Sequence, residues 1–158
     1  MRHVFWLLPG RLAGRPGPTQ EPWCLQEIRD AGFDVVLNLS EHAPADEEFG
    51  TARLDVHWTP FPTTVPPDTR AEALCLNLVP QVHSILECEL QRGRRILVHC
   101  VAGNDRTGLL LTYHLARSRG LSPQASLERV RQVRPTAITA QGREPMAMRL
   151  VTKLLSSA

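Results

Sequence analysis

Residues 99–108 read HCVAGNDRTG and place a thiol, two glycines, a carboxylate, a guanidinium and a hydroxyl within ten residues. An apolar run, RRILV, precedes the stretch and LLLTYHLA follows it, so it lies where a buried strand gives way to a helix. Backbone N–H groups in such a turn converge on one point, and the helix dipole adds positive potential there, so an anion fits that point. Cys100 opens the turn, where the same donors stabilise a thiolate and predict a thiol that ionises easily and is nucleophilic near neutral pH. Arg106 closes it with a planar two-pronged donor that can grip two oxygens of a tetrahedral dianion. Gly103 permits the tight turn, Gly108 permits close packing of the following helix, and Thr107 is placed to hydrogen-bond the sulfur and stabilise it as a leaving group. The backbone of Val101, Ala102, Gly103, Asn104 and Gly108 would hold the anion. A lone cysteine is more often a small buried hydrophobe and a lone arginine a surface charge, but H-C-x5-R-T-G between a strand and a helix is far more specific. A nucleotide-binding P-loop is excluded, because no GK[ST] is present.

The elements that must position these residues follow from periodicity and punctuation. VFWLL predicts a short strand that ends in the turn-rich PGRLAGRPGP, and Thr19 or Glu21 to Ala31 predicts a helix stopped by Gly32. DVVLNLS, 34–40, is a strand buried on both faces. EHAPADEEFG is a polar connection, and Leu54, Val56 and Trp58 alternate as in a further strand. TPFPTTVPPD carries four prolines, too many for a regular element, and must be a surface loop. Asp68 caps a helix that runs to about Gln91, RRILVHC is the most deeply buried strand, and helices follow over 107–119, from Ser122 to about Val133, and over roughly 143–155. Strands alternating with helices and then a run of helices predict an α/β domain: a central, mostly parallel sheet of four to five strands flanked by helices, one domain over 1–158. Ligands bind such sheets outside the carboxyl ends of the strands, where HCVAGNDRTG falls.

Composition sets wide bounds. A chain of 158 residues, 42% hydrophobic and 22% charged, can bury a core without metal or disulfide staples. No apolar run approaches the roughly 20 residues that cross a bilayer, and the apolar part of MRHVFWLLPG is too short for a secretory leader, which predicts a cytoplasmic protein with no membrane insertion. Cys24, Cys75, Cys88 and Cys100 form no CxxC pair, which argues against a zinc knuckle or a redox dithiol, and the three outside the loop are expected on helix faces. His42, His57, His83 and His114 show no metal-ligand spacing and are expected to be structural, as is Tyr113, so neither a metal nor a cofactor is expected. The net charge of +2 hides an asymmetry: residues 1–90 hold 6 basic and 13 acidic side chains, and residues 91–158 hold 12 and 3. The second half is the better host for an anion, although nucleic acid is not an expected partner.

On the residues of this loop the chain resembles the cysteine-based protein tyrosine phosphatase superfamily, whose signature is HCxxGxxR[ST]G, and in length and layout its small atypical dual-specificity phosphatases. The resemblance takes in the opening strand with PGRLAG, DVVLNLS, the Pro-rich loop before a long helix, the signature, and RPTAI after the penultimate helix. It implies a protein tyrosine phosphatase-like fold and a metal-independent attack of Cys100 on phosphorus. Arg106 and the loop amides would stabilise the transition state, water would release phosphate from the cysteine, and His99 would tune Cys100 by hydrogen bonding. The implied partner is a phosphorylated protein or another phosphate monoester.

The resemblance also implies a general acid, normally an Asp in the Pro-rich loop, and there this chain has Phe61. Asp68 suits a helix cap better than an acid, and Asp55 suits a strand end. Asp105 matches a variant, CxxGxDRTG, found in bacterial lipid-and-tyrosine phosphatases and myotubularin-like enzymes, in which the loop Asp is the acid; the alternative is a salt bridge or a solvent-facing carboxylate. Gln141 is a candidate for orienting water or a solvent-facing side chain, Arg134 could hold the loop from outside, and Arg11 and Arg15 could border the pocket or be exposed loop charges. Three further functions stay open. A phosphoinositide phosphatase shares the loop Asp, although Asn104 stands where such loops often carry lysine. An RNA or nucleotide phosphatase would use the same chemistry. A phosphate-binding pseudophosphatase would explain Phe61.

Overall fold

The structure is a computed structural model that describes residues 1–44 and 53–157, so most of the polar connection EHAPADEEFG lies outside the described residues. The elements in chain order are β1 (Phe5–Leu8), β2 (Leu12–Arg15), α1 (Leu25–Asp30), β3 (Val35–Asn38), β4 (Asp55–Trp58), α2 (Thr69–Gln91), β5 (Ile96–His99), α3 (Asp105–Arg119), α4 (Pro123–Val133) and α5 (Arg143–Ser156). The five strands lie in the order β1-β2-β5-β3-β4, antiparallel only between β1 and β2. The predicted α/β class and mostly parallel sheet are therefore present.

Alternation along the central strands builds two cores. Leu12, Val35, Leu37, Ile96 and Val98 face a large apolar cluster shared with α2, α3, α4 and α5. Ala13, Val36 and Leu97 face the other way, onto Ile28 of α1, Phe33 and Leu54. β5 is buried throughout and sits between β2 and β3, as its composition predicts. Parallel register aligns Asn38 and Arg15 with His99, so the chain leaves three neighbouring strands at one edge, immediately before Cys100.

Three expectations need correction. The PGRLAGRPGP segment is more than a turn, because Leu12–Arg15 pairs with both β1 and β5. The first helix starts at Leu25 and not near Glu21, where the backbone turns over the buried Arg15 side chain; its Nη1 donates to the carbonyl of Glu21 at 2.7 Å. Of the three other cysteines only Cys75 fills a buried helix face; Cys88 is exposed on α2 and Cys24 is the exposed N-cap of α1. The caps at Asp68 and Ser122 and the left-handed Gly120 at the end of α3 match expectation. No helix among the described residues is long and apolar enough to cross a membrane.

Candidate active site

The loop between β5 and α3 is held open from behind. The carbonyl of Val101 accepts from the Gly17 amide at 2.8 Å, that of Ala102 from Arg134 Nη2 at 2.8 Å, and that of Asn104 from the amides of Gly108 at 3.0 Å and Ile138 at 3.3 Å. The carbonyl of Cys100 accepts from His99 Nδ1 at 3.1 Å. With these carbonyls turned outward, the amides of residues 101–107 donate to no group among the described residues, and those of 105–107 also open helix α3. Such a run of free N–H groups at a helix N-terminus is an anion cradle.

Cys100 is 2% exposed, and Thr107, fully buried in the first turn of α3, donates its Oγ1 hydrogen to the sulfur at 3.2 Å. His99 is enclosed, with Trp23 edge-on at 4.7 Å. Burial, and then the neighbouring Arg15 and Arg106 charges, push its imidazole down to about 4, so it is neutral near pH 7 with its proton on Nδ1. It acts as a hydrogen-bonding fixture at the root of the loop.

Three elements brace the cradle. Gly103 has φ +71°, and a Cβ there would stand 2.9 Å from the Arg15 backbone, so both the turn and the close approach require glycine. Arg15 is 3% exposed and donates to the carbonyls of Arg2, Pro16 and Glu21, so it is a buried structural cation and not an exposed loop charge. A Cβ on Gly17 would collide with the carbonyl of Cys100. From the other side Arg134 reaches Asn104 Oδ1 at 2.9 Å as well as Ala102, the outside hold expected of it. Asn104 Oδ1 also accepts from Thr136 at 2.7 Å, so its side chain ties the loop to RPTAI and leaves its backbone for the cradle. Ile138, with φ +56° although β-branched, is locked there by burial and by Arg131 on its carbonyl, and it lies where a Cβ on Gly108 would stand 3.0 Å away.

The carboxylates sort by position. Asp55 lies at the far end of the sheet, in register with Val35, and pairs with Arg94 at 2.6 Å. Asp68 Oδ1 accepts from the Ala71 amide at 2.7 Å as the N-cap of α2. Phe61 is 2% exposed within the large apolar core, so the position that would carry an acid by resemblance carries none. Asp105 is half-buried in the first turn of α3, and its Oδ1 accepts from the Ala140 amide at 3.2 Å. Gln141 is exposed, and Arg11 sits at the opposite end of β2, donating to the carbonyl of Leu90.

Sequence reading missed Glu41. It stands just past β3, at the same sheet edge as Cys100, and its Oε2 pairs with Arg106 Nη1 at 2.5 Å. The hydrogen bond from Arg106 is the main reason its carboxyl lies below the usual range. A turn centred on Asn38 presents it: Asn38 Oδ1 accepts from the Ser40 amide at 2.9 Å and from Ser40 Oγ at 2.7 Å. The available signal was an acidic residue directly after a buried strand in LNLSE.

This geometry has counterparts. The model of the dual specificity phosphatase catalytic domain matches residues 19–142. Dual specificity phosphatase 28 of Homo sapiens is 30% identical over 112 residues, 71% of this chain and 58% of that protein, so the chain spans less than two thirds of the relative's length. Among solved structures Tk-PTP superposes with a TM-score of 0.78 at 24% identity, covering 99% of each chain. PTPMT1, solved in complex with PI(5)P, superposes at 0.73 with 12% identity, covering 93% of this chain and 94% of that one. These two likenesses concern the fold. The family match covers most of the chain and the whole loop from Cys100 to Arg106, and the chain belongs to the dual specificity phosphatase catalytic-domain family.

Proposed function

We propose that the chain hydrolyses phosphate monoesters through a phosphocysteine, acting on phosphotyrosine and also on phosphoserine and phosphothreonine of proteins, with no metal in the reaction. Cys100 attacks as a thiolate. Its sulfur bonds to phosphorus as the ester P–O bond breaks, and the departing oxygen takes a proton from Asp105. Water then attacks phosphorus, the P–S bond breaks, Asp105 recovers a proton from the water, and phosphate leaves. The amides of 101–106 and the Arg106 guanidinium balance charge on the equatorial oxygens. Thr107 stabilises the sulfur as it leaves, and Glu41 positions Arg106. The observation that carries this reading is the buried 3.2 Å bond from Thr107 Oγ1 to Cys100 Sγ, beside a run of free amides.

A second reading, a module that binds a phosphorylated partner without turnover, is favoured by one fact, the burial of Phe61 where relatives by resemblance carry an acid. Hydrolysis of p-nitrophenyl phosphate and of phosphopeptides, with chelator present, decides between the two. Expected are turnover by the parent and loss of about 10^4-fold or more in Cys100→Ser. Asp105→Asn should lose about 100-fold on the peptide but far less on p-nitrophenyl phosphate, whose leaving group needs little protonation, and Asp68→Asn should lose little on either. Turnover confined to phosphoinositides would move the substrate class from protein to lipid. Phosphate binding without turnover of any substrate would establish the binding module.

A further inference from the structure

We propose that His83, Glu87 and His114 form a site for one divalent cation of the zinc class, separate from the phosphate loop. His83 and Glu87 stand one turn apart on α2 and project from one face, and His114 projects from α3, packed beside it. His83 Nε2 and His114 Nδ1 are 3.1 Å apart, Glu87 Oε1 is 3.7 Å from His83 Nε2, and the three ligand atoms lie within 4.8 Å of one another. Metal–nitrogen bonds of about 2.0–2.1 Å put two tetrahedral ligands about 3.3 Å apart, so the two rings already have ligand spacing. The carboxylate oxygen stands beyond hydrogen-bond reach of the ring yet within the spread expected of a third ligand.

The surroundings suit an ion. The two histidines are 6% and 3% exposed, their rings are tilted by 47°, and Tyr113 packs edge-on to His83 at 4.9 Å, which fixes that ring. Glu87 and His114 also border a cleft of about 220 Å³ with Leu90, Ser118, Arg11 and Arg119, which gives entry and room for water as a fourth ligand. Two imidazoles, one carboxylate and an open position select zinc or cobalt over magnesium or calcium, which prefer all-oxygen shells. The proton shared between the facing nitrogens moves to the outer nitrogen of the same ring, so no other reactant is required. Arg117, Arg119 and Arg11 oppose a cation electrostatically, and the bonds to the ion must outweigh them. His114 lies nine residues, roughly 13 Å, along α3 from Asp105. Sequence spacing could not show this set, because its third member comes from a different helix.

Cobalt(II) titration of the full chain carrying Cys100→Ser, which removes the loop thiolate as a competing ligand, tests the site. Expected are one equivalent bound, visible absorption of a four-coordinate ion without a thiolate-to-cobalt band, and displacement by zinc. Glu87→Gln alters a half-exposed side chain and so leaves folding intact; it and His114→Gln should each weaken binding about 100-fold or more, at or above the 10–100-fold that outer partners carry. Absence of a cobalt spectrum, or affinity unchanged in Glu87→Gln, would each overturn the site and leave the two histidines as a hydrogen-bonded pair in the core.

Discussion

Two loops meet at the carboxyl edge of the sheet, and they have been treated in opposite ways. The 100–106 loop keeps every polar group that anion chemistry requires, and it is braced by Gly17 and Arg15 on one side and by Arg134, Thr136 and Ile138 on the other. The Pro-rich loop is fastened just as firmly. The Thr59 and Phe61 amides donate to the carbonyls of Asn38 and Leu39 at 2.9 and 3.1 Å, and the buried Arg143 donates to the carbonyls of Pro62 and Thr64. Yet its side chain at the position of interest is a core phenylalanine. The difference teaches that binding charge and delivering a proton are separable. A cradle of backbone amides depends on the path of the chain, whereas an acid depends on one side chain and is lost with one substitution. The proton source proposed above, Asp105, stands on the cradle itself, in the first turn of α3.

The largest effect should come from breaking the cradle. Arg106→Ala is expected to lower kcat/KM for p-nitrophenyl phosphate about 1000-fold, the upper end of what one transition-state donor supplies, while the unfolding midpoint stays close to that of the parent. A loss below tenfold would show that the amides alone carry the anion. Intermediate in size is the effect of emptying the other loop. Phe61→Ala should cost about 3–5 kcal/mol of unfolding free energy in urea, from lost burial and a residual cavity, and should change turnover of p-nitrophenyl phosphate by less than about threefold. A large loss of turnover at intact stability would return the Pro-rich loop to the chemistry.

The smallest effect concerns pH. The folded His99 ionises near 4, below its ordinary 6.5, so protons favour the unfolded chain. Its contribution to stability is fully present above about pH 6.5 and is lost as pH falls from 6.5 toward 4. Urea midpoints of the parent should drop across that window, and those of His99→Asn should drop less. Equal slopes would mean that the enclosure of His99 by Trp23 and the Arg15 and Arg106 charges does not govern its ionisation.

The sequence by itself determined the local parts. Cys100, Arg106, Thr107 and both loop glycines lie within ten residues, and a strand-to-helix turn fixes their relative directions, so their chemistry was legible without a fold. The caps at Asp68 and Ser122 were legible for the same reason, because a cap acts on amides two or three residues away. Only the tertiary structure decided which distant groups meet. Arg106 finds Glu41 across 65 positions, Arg134 reaches Ala102 across 32, and His83 faces His114 across 31. Hydrophobic periodicity states which face of an element is buried but not which element covers it. That choice is made by the order β1-β2-β5-β3-β4, which sets the Arg15, Asn38 and His99 strand ends side by side and so assembles the site.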